Sequence, residues 1–244
     1  MHLLDNQEKM SFTFKQFHID DTHCAMKVGT DGVLLGAWAD VTEAHHVLDI
    51  GCGSGLIALM MAQRATQATI EGIEIDGMAA ADAKQNVSLS PFAQRIQIIE
   101  GDALSYTSTS LFDHIVSNPP YHEESLLPPS STRAKARHIL GGGLTFEALF
   151  ETVNRLLDKK APQATFSVVL PTQSVSRFVT QAAIYGLQLS HRTHVVTRPQ
   201  KPCKRTLLAF SPHDVTPIED TLVLLNSDGS RSAEYERLCA DFYL

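Results

Sequence analysis

The sequence predicts an α/β fold in which a mostly parallel β-sheet carries helices on both faces. From His46 onward, short apolar runs alternate with helical patterns, as in consecutive βαβ units. The first of these runs ends in closely spaced glycines that open a helix, and the next two end in acidic residues. Parallel strands that end this way put glycine turns and carboxylates on one edge of the sheet.

The elements follow in order. HHVLDI (45–50) reads as a buried strand, LIALMMAQRA (56–65) as a helix and ATIEGIEI (68–75) as the next strand. GMAAADAKQNVSLS (77–90) is an alanine-rich helix closed by Ser90-Pro91. RIQIIEGDA (95–103) and FDHIVSNPPY (112–121) are further strands, and a polar loop runs from His122 to about Gly143. LTFEALFETVNRLLDKK (144–160) is amphipathic, with Leu149, Val153, Leu156 and Leu157 on one face. A strand (164–171), a helix (174–186), a closing pair of strands (187–197 and 205–211), a last strand TLVLLN (221–226) and a terminal helix before DFYL complete the chain. No repeat or linker interrupts 1–244, so a single domain is expected.

Composition bounds the function. Hydrophobic residues make up 43% of the 244 and charged ones 19%, enough for a sizeable core. No apolar run is long enough to span a bilayer. Met1 to Phe17 lacks the apolar stretch of a signal peptide, which points to the cytoplasm. Cys24, Cys52, Cys203 and Cys239 are too scattered for a disulfide framework and are expected as free thiols. The eleven histidines show no zinc-ligand spacing, so no metal is expected. Oligomeric state is not legible, and a monomer is the default. The net charge of −7 argues against a polyanionic partner, but its distribution does not. HRTHVVTRPQKPCKR (191–205) holds five Lys/Arg and no carboxylate, and a second basic knot runs from Arg133 through Lys135 to Arg137.

The chemistry concentrates at three strand ends. The first reads Asp49-Ile50-Gly51-Cys52-Gly53-Ser54-Gly55 and leads straight into a helix. Its spacing is G-x-G-x-G rather than the G-x-G-x-x-G that seats a dinucleotide pyrophosphate. Preceded by Asp49, the loop suits a cationic amino acid, and Asp49 could hold the methionine ammonium of S-adenosylmethionine, in part through water. Glu74 and Asp76 close the second strand; either could bind the ribose hydroxyls, and Glu74 lies nearer the apolar run. Gly101-Asp102-Ala103 offers a carboxylate to the cofactor's adenine amine.

The fourth strand ends in Asn118-Pro119-Pro120-Tyr121. An arylamine such as adenine N6 is a poor nucleophile because its lone pair is spread into the ring. The Asn118 side-chain oxygen and the Pro119 carbonyl can accept its two hydrogens, with the prolines stiffening the turn. Tyr121 supplies a face on which the base stacks, worth roughly 1–3 kcal/mol. A base in a stack must first swing out to reach such a pocket.

Together DIGCGSG, GIEID, GDA and SNPPY resemble the amino-methyltransferases of the class I, Rossmann-like superfamily. FKQFHIDDTHCAMKVGTDGVLLGAW (14–38), the residues Arg133, Ala136 and Arg137, RPQKPCKRTLLAF and the terminal DFYL are similar to the bacterial tRNA1(Val) (adenine-37-N6)-methyltransferase family. The resemblance covers nearly the whole chain. It implies a mostly parallel seven-stranded Rossmann-like sheet and methyl transfer from S-adenosylmethionine to N6 of the adenosine 3′ of the anticodon in a valine tRNA. It also implies that an N-terminal segment (1–45) packs near the cofactor, with Lys27, Gly29, Thr30 and Asp31 beside it. Arg133, Arg137, Arg198, Lys201, Lys204 and Arg205 are then expected to contact tRNA phosphates. Two alternatives stay open at this point. Enzymes that methylate glutamine amides, or adenines of rRNA or DNA, share the DIGCGSG and NPPY motifs. An RNA-binding protein on an inactive scaffold would instead show damage to one of them.

Overall fold

The computed structural model describes residues 11–119 and 144–244. Its centre is an eight-stranded sheet formed by β3 (His46–Ile50), β4 (Thr69–Glu74), β5 (Ile96–Glu100), β6 (His114–Ser117), β7 (Thr165–Pro171), β8 (Gln188–Val196), β9 (Arg205–Ser211) and β10 (Ile218–Val223). The spatial order is β10-β8-β9-β7-β6-β3-β4-β5. Only β9 runs antiparallel to its neighbours β7 and β8. All other pairings are parallel, so the sheet is mixed but mostly parallel, as expected. A separate hairpin of β1 (Ser11–Thr13) and β2 (His18–Asp20) precedes it.

The sheet has one strand more than the seven expected. The extra one is β10, which begins three residues upstream of TLVLLN and pairs along all six of its residues with β8. An exposed edge strand is a liability unless it carries charge. Here Glu219 and Asp220 face the sheet neighbour, where Glu219 accepts from His194 Nε2 (2.7 Å) and Asp220 meets His191 Nε2 (3.0 Å). Arg192 lies 3.5 Å from Glu219. The stretch that has no carboxylate of its own is thus partly neutralised by a strand that follows it in sequence.

Strand residues alternate between two apolar clusters because successive side chains leave a strand on opposite faces. Val47, Ile70, Val116, Val169 and Leu207 pack on one side with α1 (Thr30–Trp38), α2 (Leu56–Arg64), α3 (Gly77–Ser88) and α6 (Ala233–Cys239). Leu48, Ile73, Ile115, Val168 and Leu208 pack on the other side with α4 (Phe146–Leu156) and α5 (Val175–Ile184). The predicted face of α4 is the buried one: Leu149, Val153 and Leu156 are all within the second cluster. Phe150, Phe166, Phe178 and Phe210 interlock beside them, with ring centroids 4.5–6.4 Å apart.

Helix α1 begins at Thr30, with Gly29 in extended backbone as its N-cap and Asp31 in its first turn. It packs on α2 at very close range. A Cβ on Gly36 would stand 2.5 Å from Met60 Sδ and 3.0 Å from Met60 Cβ. Gly36→Ala is therefore expected to cost about 1–3 kcal/mol through overpacking, read as a fall of several degrees in the melting temperature by calorimetry. An unchanged melting temperature would show that the helices can separate freely.

Candidate active site

All the parallel strands point their carboxyl ends to one edge, and the site is assembled there. After β3 the chain turns through Asp49 to Gly55 with Gly51, Gly53 and Gly55 at φ +72°, +53° and +79°. Every second residue is left-handed, a conformation costing other residues about 1–2 kcal/mol. That is the physical content of G-x-G-x-G. Gly55 serves as N-cap of α2, and a Cβ there would also press on Ala83 Cβ at 3.3 Å.

Neighbouring strands brace this loop. The Gly51 and Cys52 N–H groups donate to Ile73 O at 2.9 and 3.1 Å. Glu74, at the end of β4, accepts from Gly53 N through Oε2 and from Asp76 N through Oε1, each at 2.9 Å. Asp76 is committed elsewhere, since its Oδ1 accepts from Met78 N (2.8 Å) and Ala79 N (3.1 Å) to cap α3. Of the two acids, Glu74 is the one in contact with the glycine loop. Asp102 follows β5; its Oδ1 accepts from Leu104 N (2.9 Å), and Ala103 beside it is buried.

Asp49 is fully buried. Its Oδ2 accepts from Ala58 N in the first turn of α2 (3.1 Å), while its Oδ1 has no hydrogen-bond partner among the described residues. Burial pushes its pKa up to about 7, the Ala58 N–H opposes the shift, and the Glu74 charge adds to it. A buried carboxylate oxygen without a donor is costly, and a cationic donor resolves the cost. The residues present thus fit a cationic amino-acid ligand such as the methionine end of S-adenosylmethionine. Cys52 is buried in the same loop, its thiol raised well above the usual range by burial and the nearby carboxylates.

Asn118 lies on the next strand over. Ile50 pairs with Ser117, so one step beyond the sheet Gly51 and Asn118 leave adjacent strands together. Asn118 is half-buried and Pro119 buried. The first turn of α1 wedges against them: a Cβ on Gly32 would stand 3.2 Å from Leu56 Cδ2 and 3.9 Å from Asn118 Nδ2. Pro120, Tyr121, Arg133 and Arg137 lie outside the described residues.

The N-terminal and basic segments meet at this edge as well. Lys27 Nζ donates to the backbone oxygens of Asp21 (2.6 Å) and Thr22 (3.0 Å), so its charge holds its own segment in shape. Because β9 is antiparallel, the loop joining β8 to β9 returns to the carboxyl edge, and Thr172 N bonds Lys204 O there (3.2 Å). Arg198, Lys201 and Lys204 are exposed on that loop. Arg205 differs from them. Its Nε donates to Asp31 Oδ2 at 2.6 Å, joining a residue expected on RNA to one expected beside the cofactor.

Three buried polar residues here escaped sequence reasoning. Asp21, Asp82 and Asn86 are 4%, 8% and 2% exposed. The available signal was Asp82 and Asn86 spaced four apart on an alanine-lined helix, a polar pair on a face that ought to be apolar. Among the described residues no group of three or more His, Cys, Asp or Glu could hold a metal.

Comparison with known proteins agrees with this geometry. The family described as Methyltransferase small domain matches residues 23–138. Among solved structures, that of a predicted O-methyltransferase from Agrobacterium tumefaciens superposes at TM-score 0.66 and 18% identity, covering 87% of this chain and 96% of that one. The human methyltransferase 10 domain containing protein superposes at TM-score 0.55 and 16% identity over 81% of this chain and 90% of its own. These two show the fold. Sequence relatives go further: a tRNA1(Val) (adenine(37)-N6)-methyltransferase of Bacteroides thetaiotaomicron is 45% identical over 96% of this chain and 97% of its own length. The protein of the same name from Shewanella loihica is 42% identical over 96% and 99%. The chain belongs to the tRNA1(Val) (adenine(37)-N6)-methyltransferase family, within the Rossmann-like class I methyltransferases.

Proposed function

We propose that this enzyme transfers a methyl group from S-adenosylmethionine to N6 of adenine 37 in tRNA1(Val), the substrate its relatives are named for. The observation that carries the reading is the adjacency of Gly51 and Asn118 at paired strand ends, which sets the cofactor loop beside the amine acceptors. S-adenosylmethionine, when bound, supplies an electrophilic methyl carbon on a sulfonium.

The chain's own residues do the rest. Asp49 and Glu74 orient the cofactor, with Gly51, Cys52, Gly53 and Gly55 shaping the loop. Asp102 and Ala103 lie toward the adenine, and Gly29, Thr30 and Asp31 close the site from α1. Asn118 and Pro119 accept the hydrogens of the target amine and draw its lone pair out of the ring. Pro120 stiffens the turn and Tyr121 stacks the base. The displaced proton leaves to solvent once the amine has gained its methyl. We take residues 1–244 as one domain, the N-terminal segment being part of the site, and place the enzyme with its tRNA in the cytoplasm.

The test is incubation with isotopically labelled S-adenosylmethionine and tRNA from a strain lacking the gene, followed by nucleoside analysis. Label in N6-methyladenosine supports the reading. Label in protein instead of RNA transfers the activity to glutamine amides.

Arg198, Lys201 and Lys204, with Arg133, Arg137 and Arg205, supply the phosphate contacts. Binding is expected to weaken steeply with salt. Replacing Lys201 by alanine should reduce the slope of log K against log salt by about one. A slope unaltered by that change, measured by filter binding, removes Lys201 from the interface.

A further inference from the structure

Helix α3 begins just after Glu74 and Asp76, and its buried face carries two polar residues one turn apart. Asn86 uses all of its amide. Its Oδ1 accepts from Asp20 N (2.9 Å), and its Nδ2 donates to Asp20 O (2.8 Å) and to Ser54 O (2.9 Å). Ser54 belongs to the glycine loop and Asp20 to the end of β2, so one buried side chain ties the two together. Asp82 grips the next residues. Its Oδ2 accepts from His23 N (2.8 Å), and its Oδ1 meets His23 Nδ1 (2.8 Å). From there Asp21 Oδ2 accepts from Val28 N (2.7 Å), which fixes the approach to Gly29, the N-cap of α1.

We infer that Asn86 is a positioning residue of the cofactor site, clamping the 20–28 segment and the glycine loop into one wall. The inference rests on the reading of that loop as the S-adenosylmethionine site. A buried asparagine at 2% exposure would leave an N–H and two carbonyls without partners if it were only filling space. Its two hydrogens instead go to backbone oxygens of both segments, so a single buried side chain spans them. Ile73 and Glu74 brace the glycine loop from β4, and Asn86 adds a tie to it from the side of the 20–28 segment. Asp82 does the same work one turn away, on the segment alone.

Two measurements test this on the full-length protein. In the first, S-adenosylmethionine is titrated calorimetrically into wild type and Asn86→Ala, and steady-state constants are measured on tRNA. The expected result is a cofactor Kd and KM raised on the order of 10- to 100-fold, with kcat at saturating cofactor nearly unchanged. Equal Kd values for the folded variant and wild type overturn the inference.

In the second, hydrogen–deuterium exchange of the wild-type protein is followed with and without S-adenosylmethionine, which needs no variant to fold. Exchange is expected to slow together in 18–28 and in 51–58. Slowing confined to 51–58 overturns the inference while leaving the cofactor site in place. No binding heat and no slowing in either segment of the wild type rejects the cofactor site itself, and the inference with it.

Discussion

Asn118→Ala is expected to lower kcat by about 10²–10³, with the cofactor Kd little altered. Removing one preorganised acceptor or donor from the point where charge develops typically costs this much. The charge here develops on an amine that becomes cationic as it is methylated. Its hydrogens need acceptors already in place, and Asn118 directly follows the strand end where Ser117 pairs with Ile50. The cofactor loop, on the neighbouring strand, keeps its own braces from Ile73 and Glu74. The check is single-turnover methylation of unmodified tRNA alongside calorimetric titration of the cofactor. A variant with wild-type kcat would remove Asn118 from the chemistry, and one with an equal loss of cofactor affinity would move it to the binding site.

For Asp49→Asn the expected loss is in binding, and it comes with a gain elsewhere. A charge-assisted hydrogen bond to a buried carboxylate contributes about 1.5–3 kcal/mol, so cofactor affinity should fall roughly 10- to 100-fold. In the ligand-free protein the carboxyl titrates at about 7, raised by burial. Its stabilising influence is therefore complete below the unfolded value of about 4, and is lost as pH rises through 7. Above that the folded state holds an uncompensated buried charge. The neutral amide removes that charge, so at pH 8 the variant should melt a few degrees higher than wild type without cofactor. It should gain little from added cofactor. In the wild type, affinity should rise nearly tenfold per pH unit between about 5.5 and 7 as the carboxyl ionises. Scanning calorimetry and titration across this range check both. A variant that melts lower at pH 8 would mean that Oδ1 finds a partner in the free protein.

The parts of the site that were legible in the sequence are those set by local backbone demands. Gly51, Gly53 and Gly55 mark left-handed positions, and the spacing announces them. Strand ends were legible because apolar runs stop there, which put Asp49, Glu74, Asp102 and Asn118 on one edge once the strands were read as parallel. Contacts between distant segments were not. Asn86 meets Asp20 from 66 residues away, and Arg205 meets Asp31 across 174. Nothing in the local pattern around either residue names its partner. Nor was it legible that Glu219 and Asp220 of the parallel strand β10 meet His194 and His191 of the basic stretch.

The antiparallel strand β9 also gives the β8–β9 loop a different standing from the βα turns that share its edge. By reversing once, the chain delivers the β8–β9 loop to the chemical edge of the sheet without that loop taking part in any parallel crossover. A surface loop of this kind tolerates changes of length and composition that a βα turn cannot. Residues 197–204 are thus a replaceable cassette, and the ion pair from Arg205 to Asp31 marks where the cassette must stop.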